Sequence, residues 1–280
     1  MTDFPDTGLQ GDHVLSAVQQ TMLIPLVARA LGGGMFPGHA CGDQHAAELV
    51  RRLRVPTEPY LVDRPTVLNI LWRTKVMRDA ALAFFARNPQ AWGVNLGCGL
   101  SHYFQWLDNG QNTWLDADMP QSMQLRRHLL APDTERHRTA LVDLRRTGWW
   151  QDLKLPQDAL NQPLFMLCEG VLMYLQPHQA QHVLHSFAVN APAGSRLLID
   201  VMAGCAVGMA RWHPSVGPTQ AQFYWGIRSL SELTDCHPRL RLLATHSVAA
   251  SHGWMGIAAE QMWNYWSSTP LYGVVELGVD

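Results

Sequence analysis

The clearest chemical signal in the sequence is a glycine turn that follows an apolar segment. Trp92–Leu96 is apolar enough for a buried strand, and Gly97-Cys98-Gly99 follows it directly. Glycine lets the chain turn sharply and lets a ligand approach bare backbone. A dinucleotide-binding turn would have its third glycine at position 102, where this sequence has His102. The pattern indicates a ligand-binding turn and disfavours NAD or FAD, with an ordinary tight turn as the alternative.

An acidic residue follows this turn at the spacing that is typical of a ribose-binding acid in nucleotide-binding folds. Asp118 lies 21 residues after Gly97, at the end of an apolar segment and just before Met119-Pro120. An acid in this position can accept hydrogen bonds from both hydroxyls of a ribose. We favour Asp118 over Asp116 because of strand alternation and the helix-starting Pro120. The alternative is that Asp118 only caps the next helix.

Two further acidic residues stand near the ends of apolar segments. Asp143-Leu144 could meet the amino group and the face of an adenine. Glu169-Gly170 ends the apolar segment Leu164–Cys168. Burial of an unpaired carboxylate is costly, so Glu169 should face a cavity or a cation, such as an ammonium or sulfonium group of a ligand.

Histidines and cysteines are numerous but form no recognisable metal motif. His178, His182 and His185 share a helix face at spacings of four and three, and we interpret this face as solvated because no carboxylate or cysteine completes a site. The five cysteines are scattered without a C-x-x-C pair, which argues against a disulfide framework and a zinc ribbon. We therefore expect no bound metal.

The elements that must position these residues change in character near residue 90. Upstream, a helical cap is predicted, with one helix that Asp12 could cap and that ends at Gly32–Gly34, and a second that starts at Pro65 and stops at Asn88-Pro89. Downstream, short apolar segments alternate with helical ones. This alternation is typical of a doubly wound, Rossmann-like parallel α/β sheet.

The strand expectations are specific. We predict strands at 92–96, 113–115, 139–142, 164–168, 197–201 and 240–248, helices near 120–130 and 177–189, and a last strand at 272–277 that pairs antiparallel with 240–248. The sequence predicts two parts of the chain, a helical cap over residues 1–90 and a Rossmann-like domain over residues 91–280. We expect the two parts to pack as a single compact unit.

The segment after the fifth strand does not fit the alternation. Residues 204–226 are rich in glycine, proline and aromatic residues, and we interpret them as a lid insertion that forms a mobile wall over a small, apolar acceptor. Its candidate wall residues are Trp212, His213, Phe223, Tyr224 and Trp225.

Composition excludes several classes of protein. The chain is 47% hydrophobic and 16% charged with a net charge of −2, so it can bury a large core and carries no basic field for nucleic acid or an anionic membrane. Asp3 and Asp6 stand where a signal peptide would have positive charge, and no apolar segment near them could span a bilayer. A cytoplasmic protein is expected, and its oligomeric state is left open.

Together, four segments give a family resemblance. They are Val94–Leu100, Trp114–Pro120, Asp143-Leu144 and Glu169–Leu175, joined upstream by Gln19–Thr21, Ala28–Ala30 and Trp72–Thr74. In this order they resemble the leucine carboxyl methyltransferases, a family that includes bacterial polyketide O-methyltransferases. The resemblance covers roughly residues 15 to 200.

The resemblance implies a class I methyltransferase that uses S-adenosylmethionine, and it implies roles for individual residues. Gly97 and Gly99 would back the methionine portion of the cofactor, and Asp118 would hold its ribose. Asp143 and Leu144 would bracket the adenine, Glu169 would lie near the methionine and ribose, and Arg73 would pair with the cofactor carboxylate. Tyr174 would close the site near the reacting methyl group. Arg29 matches an arginine of the family's first helix.

One departure from the family pattern concerns the residues after the glycine turn. Many members continue with Asp-Thr-Arg, whereas this chain has Ser101–Gln105, so a non-catalytic cofactor-binding protein is an alternative. A nicotinamide-dependent oxidoreductase is a further alternative, disfavoured by His102. We predict an O-methyltransferase that acts on a carboxylate or hydroxyl of a small molecule in secondary metabolism. A hydroxyl acceptor would benefit from a base, for which His213 is the preferred candidate beside His246 and His252.

Overall fold

The computed structural model describes residues 20–130 and 133–280. Helices fill most of the first part of the chain. Two of them begin at aspartate caps: Asp43 accepts a hydrogen bond from the Ala46 N–H (2.8 Å), and Asp63 accepts one from the Thr66 N–H (3.3 Å). The helices are α1 (Leu23–Leu31), α2 (Gln44–Leu53), α3 (Glu58–Leu61) and α4 (Arg64–Arg87).

Within the described residues, seven strands form one sheet. They are β1 (Trp92–Leu96), β2 (Thr113–Asp118), β3 (His137–Leu141), β4 (Phe165–Cys168), β5 (Arg196–Met202), β6 (Leu240–Ser247) and β7 (Tyr272–Val279). Their order is β3-β2-β1-β4-β5-β7-β6. The first five run parallel, while β7 pairs antiparallel with both β5 and β6. This is the predicted doubly wound, Rossmann-like α/β sheet, with β6 and β7 as an antiparallel edge.

Helices connect the strands and cover the sheet. They are α5 (Phe104–Leu107), α6 (Pro120–Leu129), α7 (Trp149–Asp152), α8 (Pro177–Asn190), α9 (Ser231–Thr234) and α10 (Gly253–Asn264). A proline starts α6 and another starts α8, as is common at the first helical position. The strand order reverses between β1 and β4, which makes the carboxyl ends of these two strands the expected place for a ligand.

The buried apolar side chains form three clusters around this sheet. One lies on the sheet face under α8 and includes Trp149 and Phe187, and another joins α4 to the opposite face through Phe84, Phe85 and Trp114. The third joins α1, α2 and the start of α4 to Met173, Met202 and Phe223. The N-terminal helices therefore pack on the sheet at its carboxyl edge.

The predicted alternation is confirmed, with strand boundaries that differ by a few residues. β1 matches its prediction, and β6 and β7 pair antiparallel as expected. β2 continues to Asp118, three residues beyond the predicted end. The predicted first helix is observed from Leu23, and its predicted start at Asp12 lies outside the described residues.

The segment 204–226 contains short 3-10 turns instead of a regular helix or strand. They cover Gly204–Ala206, Ala210–Trp212 and Gly217–Thr219. The segment is tied to the fold at both ends, since Ile227 forms a bridge with Ala203 and the Tyr224 N–H donates to the Met173 carbonyl (2.8 Å). Its mobility stays a prediction. Among the described residues, no helix has the length and apolar character needed to cross a membrane.

Candidate active site

The glycine turn lies at the carboxyl end of β1 and has the backbone geometry that only glycine adopts easily. Gly97 has a φ of +64° and Gly99 a φ of +48°. A Cβ atom on Gly97 would lie 2.4 Å from the Val171 side chain. The turn therefore requires glycine at position 97 for both its conformation and its close packing.

Asp118, at the end of β2, holds this turn in place. Its Oδ2 accepts from the Gly99 N–H (2.8 Å), its Oδ1 accepts from the Met119 N–H (2.7 Å), and Ser122 donates to it as well. Burial raises the pKa of the Asp118 carboxyl above its usual value. Because a carboxylate has about four acceptor positions, further hydrogen bonds can still be accepted on the side that lines a cavity.

Asp116 points into the core instead. Its carboxylate accepts from Trp114 (3.0 Å) and Asn95 (3.1 Å), and it also pairs with His137 (2.7 Å) and Arg126. Burial alone would raise the pKa of Asp116, but these partners, led by the Arg126 charge, lower it to about 2. Asp116 is fully buried and lines neither of the two cavities described below, so it does not compete with Asp118 for a ligand.

Arg126 also supports the altered segment after the glycine turn. From α6 it donates to the Gly99 carbonyl (3.0 Å) and to the Ser101 carbonyl. Asn95 donates to the Ser101 hydroxyl (3.0 Å). The turn that lacks the family's Asp-Thr-Arg is therefore held by an arginine that comes from α6.

A second polar network is built around Arg73 of α4. Its Nε donates to Glu169 Oε1 (2.7 Å), and its Nη1 donates to Asp200 Oδ2 (3.2 Å) and to the Tyr272 hydroxyl (2.7 Å). Tyr272 in turn donates to Asp200 Oδ2 (2.7 Å). The cation expected near Glu169 is thus present in the protein itself.

The other groups around Glu169 complete its hydrogen bonding. The Tyr103 hydroxyl donates to Oε2 (2.8 Å), and the Thr74 hydroxyl lies 3.3 Å from Oε1. Burial alone would raise the pKa of this carboxyl, but the Arg73 and Arg29 charges and the hydrogen bonds from Arg73 and Tyr103 hold it below its usual value. Glu169 is therefore ionised at neutral pH, beside a guanidinium that also faces a cavity.

We call that space, of about 300 Å³, the Arg73 cavity. Residues of the glycine turn, Arg29, Arg73 and Glu169 line one part of it. Its apolar wall includes Ile70, Met173, Met202, Val216 and Phe223. Arg29 is buried and paired with Asp43 through its Nε (3.0 Å), so its charge is balanced.

A smaller space of about 160 Å³ lies beside it, and we call it the Asp118 cavity. Asp118, Asp143 and Leu144 line it, together with Val142 and Ser122. Asp143 is held by Arg145, whose Nε donates to Oδ1 (2.8 Å). The two cavities share the lining residues Thr21, Met22, Gly97, Gly99, Gly170 and Tyr174.

Tyr174 lies in the wall common to both cavities. Its hydroxyl is hydrogen-bonded to the Thr21 side chain, and its ring lies 5.7 Å from that of Phe223. Burial raises the pKa of Tyr174 to about 12. The phenol is therefore neutral at physiological pH and can close the space but cannot serve as a base.

His213 is in the apolar part of the Arg73 cavity. Its Nδ1 accepts from the Ser215 and Val216 N–H groups (both 3.3 Å), and its Nε2 lies 3.4 Å from the Thr66 hydroxyl. Burial lowers the pKa of His213 below its usual value. The ring is therefore neutral at pH 7, and its Nε2 and the Thr66 hydroxyl beside it both belong to the lining of the cavity.

The other candidate histidines do not line either cavity. His252 Nε2 is hydrogen-bonded to the Asn69 side chain (2.8 Å), and His246 is in the edge strand β6. The three histidines of α8 line a surface groove, which also contains Glu232, Asp235 and Cys236. These side chains do not bring the ligand atoms of three histidine, cysteine or acidic residues close enough together to hold a metal, and the interpretation of this helix face as solvated stays a prediction.

The predicted aromatic wall is only partly formed. Phe223 and His213 line the Arg73 cavity, but Trp212 and Tyr224 are 70% and 44% exposed and line neither cavity. Trp225 is buried in the core on the α8 side of the sheet. The assignment of these three rings to the acceptor wall is corrected accordingly.

Several residues of the site were not singled out in the sequence. Asp200, Tyr103 and Tyr272 enclose Arg73 and Glu169 from β5, the glycine-turn segment and β7. Only Asp200 had a local signal, because it is an acid within the apolar segment Leu197–Val201. The tyrosines could not be found from spacing because their partners are distant in sequence.

Comparisons with known proteins identify the family of this chain. Residues 34–188, more than half of the chain, match the family model described as Leucine carboxyl methyltransferase. The chain belongs to this family and is a methyltransferase that depends on S-adenosylmethionine. The family resemblance in the motifs is thereby confirmed.

One relative and two solved structures extend the comparison. The tetracenomycin polyketide synthesis O-methyltransferase TcmP of Streptomyces glaucescens is 27% identical over 238 residues, which are 85% of each chain. A putative methyltransferase from Thermobifida fusca has a TM-score of 0.54 at 16% identity, covering 92% of this chain and 94% of its own. A duf574 family protein from Streptomyces avermitilis has a TM-score of 0.53 at 12% identity, covering 85% and 90%. At these identities the structures support the fold alone.

The residues present fit the cofactor of the family. The glycine turn leaves open backbone where the two cavities meet, and a side chain at Gly97 would be forced against Val171. Asp118 and Asp143 line one cavity, with Arg145 paired to Asp143, and the two arginines Arg29 and Arg73 line the other together with Glu169. This distribution suits a ligand with hydroxyl and amino groups at one end and an amino acid at the other.

Proposed function

We propose that this protein transfers a methyl group to an oxygen atom, a carboxylate or hydroxyl, of a small molecule in secondary metabolism. The observation that carries the proposal is the apolar part of the Arg73 cavity, which adjoins the glycine turn and contains one neutral histidine. The description of TcmP as a polyketide O-methyltransferase supports the same class of acceptor at a distance.

The cofactor residues are assigned within the same proposal. Asp118 accepts from the ribose hydroxyls, while Asp143 and Leu144 bracket the adenine in the Asp118 cavity. Gly97, Gly99 and Glu169 border the methionine portion, and Arg73 offers its guanidinium to the cofactor carboxylate. The pairing of Arg73 with Glu169 and Asp200 fixes that guanidinium before any ligand arrives.

When bound, S-adenosylmethionine supplies an electrophilic methyl group on a sulfonium. The protein then has to align the acceptor oxygen in line with it and keep water away. Met173, Tyr174 and Phe223 provide apolar walls on the acceptor side. These walls favour a flat or apolar acceptor body with its oxygen directed towards the glycine turn.

His213 contacts the acceptor oxygen in this proposal. Its Nδ1 accepts from backbone N–H groups, so the neutral ring carries its proton on Nε2. From Nε2 the ring donates to an ionised carboxylate or phenolate. For a neutral hydroxyl acceptor the tautomer would have to exchange before His213 could take the proton.

The test is methyl transfer to a panel that contains aromatic carboxylates, phenols, aromatic amines and a peptide ending in leucine. Mass spectrometry gives the site of methylation, and mild alkali separates methyl esters, which are hydrolysed, from stable methyl ethers. We expect O-methylation of an aromatic carboxylate or phenol. Methylation of the amine or of the peptide alone, or no turnover by protein that binds S-adenosylhomocysteine, would overturn the proposal.

His213→Ala separates the two oxygen classes further. With an ionised acceptor the variant should mainly raise KM, because a hydrogen-bond donor is lost. With a hydroxyl acceptor it should lower kcat and remove the acid limb of the pH profile. His246→Ala is the matched control and should leave both constants unchanged, since His246 does not line the cavity.

A further inference from the structure

The helix between the last two strands carries a large apolar surface that faces away from the protein. We define the α10 face as Trp254, Met255 and Met262 of the helix with Tyr265 and Trp266 of the turn that ends it, which are 76%, 64%, 75%, 81% and 84% exposed. The remaining exposed aromatic side chains of the described residues do not gather in this way on one helix. A patch of this kind marks an interaction site in soluble proteins.

The opposite side of α10 anchors the helix to the protein. Glu260 accepts a hydrogen bond from the Ser247 hydroxyl, and the Trp263 indole N–H donates to the Thr269 carbonyl (2.7 Å). A Cβ on Gly256 would lie 2.2 Å from the Ala249 carbonyl oxygen, so the helix contacts this loop closely. The outward direction of the α10 face is therefore fixed by packing on the other side.

The helical spacing makes the face continuous. Trp254, Ala258, Met262 and Tyr265 follow one another at intervals of four, four and three residues, so they lie in one row, with Met255 and Trp266 beside it. Glu260 is the single charged residue between 253 and 266, and it is engaged with Ser247. The α10 face thus contains no charge.

The chemistry of the face favours a protein surface as its partner. Trp, Tyr and Met are enriched at the centres of protein interfaces, and charged residues are depleted there. Interfacial membrane helices instead carry lysines and arginines along the polar side, and α10 has none. An uncharged face can also meet a copy of itself without repulsion between like charges.

We propose that the α10 face is the contact between two copies of this chain. At the stated exposures its five side chains present about 700 Å², taking roughly 200 Å² for a large aromatic residue. A standard interface needs about 800 Å² from each partner, and the flanking Ile257 and Ala258 bring the patch to that size. Two α10 helices related by a two-fold axis bury Trp254 of one copy against Tyr265 and Trp266 of the other.

The segment that carries the α10 face lies next to the candidate active site. His252, at the start of α10, is hydrogen-bonded to Asn69, and Asn69 lines the Arg73 cavity. Leu271, just before β7, lines the same cavity and is 45% exposed. The proposed dimer contact therefore involves the segment 252–271, and both ends of this segment are next to the Arg73 cavity. The proposal does not depend on the identity of the acceptor.

The test is sedimentation equilibrium of the full chain between about 0.1 and 100 µM, a range that brackets micromolar affinities. The subunit mass is 31.4 kDa, and we expect a concentration-dependent approach to twice this value. Trp266→Ser and Trp254→Ser should each raise the dimer Kd at least about 30-fold, as expected for truncation of a central aromatic residue. Trp212→Ser is the matched control, because Trp212 is 70% exposed but belongs to the segment 204–226 and not to the α10 face, and it should leave the Kd unchanged. Circular dichroism melting checks that every variant is folded.

Each remaining outcome overturns the proposal. A wild-type chain that stays at 31.4 kDa over the whole range has no such dimer. If that monomer shows strong hydrogen-exchange protection along 253–266, another segment of the same chain covers the face. A dimer that both α10 variants leave intact uses a different surface. Binding of the wild-type protein to phosphatidylcholine vesicles, lost in Trp266→Ser, identifies a membrane as the partner instead.

Discussion

Asp116 and Asp118 lie two residues apart on β2 and have different surroundings. The first is enclosed by Arg126, His137, Trp114 and Asn95, whereas the second holds the glycine turn and borders a cavity. Strand alternation, one of the two reasons for which the sequence favoured Asp118, does not separate them, because residues i and i+2 of a strand point to the same face. The difference arises because Asp116 is paired with β1 on one side and β3 on the other, whereas Asp118 is the last residue of β2 and lies beyond the end of β1, where the glycine turn begins.

At this scale, Asp116→Asn should destabilise the protein by about 3–5 kcal/mol, because it leaves the Arg126 charge buried without its partner. The pKa of Asp116 is about 2 in the folded protein, against an ordinary value of 3.8, so its stabilisation is present above pH 3.8 and is lost as the pH falls towards 2. Urea unfolding at neutral and acid pH measures both effects. The loss of stability between these pH values should be smaller in the variant than in the wild type, and equal losses would contradict the assignment.

Arg73→Lys should weaken binding of S-adenosylhomocysteine at least about tenfold, because a lysine cannot reproduce the planar fork of donors. The change also leaves Glu169 and Asp200 with fewer partners, so a moderate loss of stability is expected. Arg87→Lys on the exposed end of the same helix is the control. If the affinity of Arg73→Lys matches that of the control, Arg73 does not contact the cofactor.

Which site residues could be predicted depends on where their partners come from. Gly97, Asp118 and Glu169 each lie at the carboxyl end of a strand, so local sequence was sufficient to propose them. Asp200, Tyr103 and Tyr272 act through contacts between residues 66 to 199 positions apart. Such contacts form only when the sheet is assembled, and no spacing rule in the sequence specifies them.

At the scale of elements, the strands were predicted well because buried parallel strands are short apolar segments bounded by turn residues. Helix α2 was not delimited, although Asp43 followed by Ala46, Leu49 and Val50 is a capped amphipathic pattern. Helix α10, which precedes β7, was also not predicted. Its exposed side is as apolar as the side of a helix that is buried in a core. Periodicity cannot distinguish these two cases.

The glycine turn is the element on which the cofactor site depends. Gly97→Ala should reduce affinity for S-adenosylhomocysteine strongly, because the new Cβ meets Val171 at 2.4 Å and the backbone at a φ of +64° is strained. Gly110→Ala is the matched control, since its φ is +81° but no atom lies within 4 Å of the added Cβ. The control should lose a little stability and no affinity. Equal affinities for both variants, measured by calorimetry, would show that the turn does not contact the cofactor.

At the scale of the whole molecule, the N-terminal helices and the sheet each supply part of the site. α4 brings Arg73 to the carboxyl ends of β4 and β5, and the 204–226 segment brings Phe223 and His213 to the other side of the same cavity. The acceptor wall therefore contains residues from parts of the chain that are far apart in sequence. This explains why the aromatic residues of 204–226 could not be sorted into wall and surface from the sequence.

Phe223→Ala should raise the KM for the acceptor, because the ring lines the Arg73 cavity and lies next to Tyr174. Affinity for S-adenosylhomocysteine should change less than about twofold, since Phe223 does not line the Asp118 cavity. Trp212→Ala, an exposed ring of the same segment, should alter neither quantity. An increase in KM with Trp212→Ala but not with Phe223→Ala would place the acceptor elsewhere.

The position of the cofactor is tested most directly by calorimetric titration of S-adenosylhomocysteine into the wild type, Asp118→Ala and Asp118→Asn. Two hydrogen bonds to a charged acceptor contribute on the order of 3–6 kcal/mol together, so Asp118→Ala should lose more than about 100-fold in affinity. Asp118→Asn keeps one acceptor oxygen and the shape of the side chain, and it should lose less. Melting without ligand checks that the loss of the Gly99 and Met119 contacts has not unfolded the variants. We expect the affinity to fall in the order wild type, Asp118→Asn, Asp118→Ala, and three equal affinities in folded proteins would contradict the assignment of Asp118 to the cofactor.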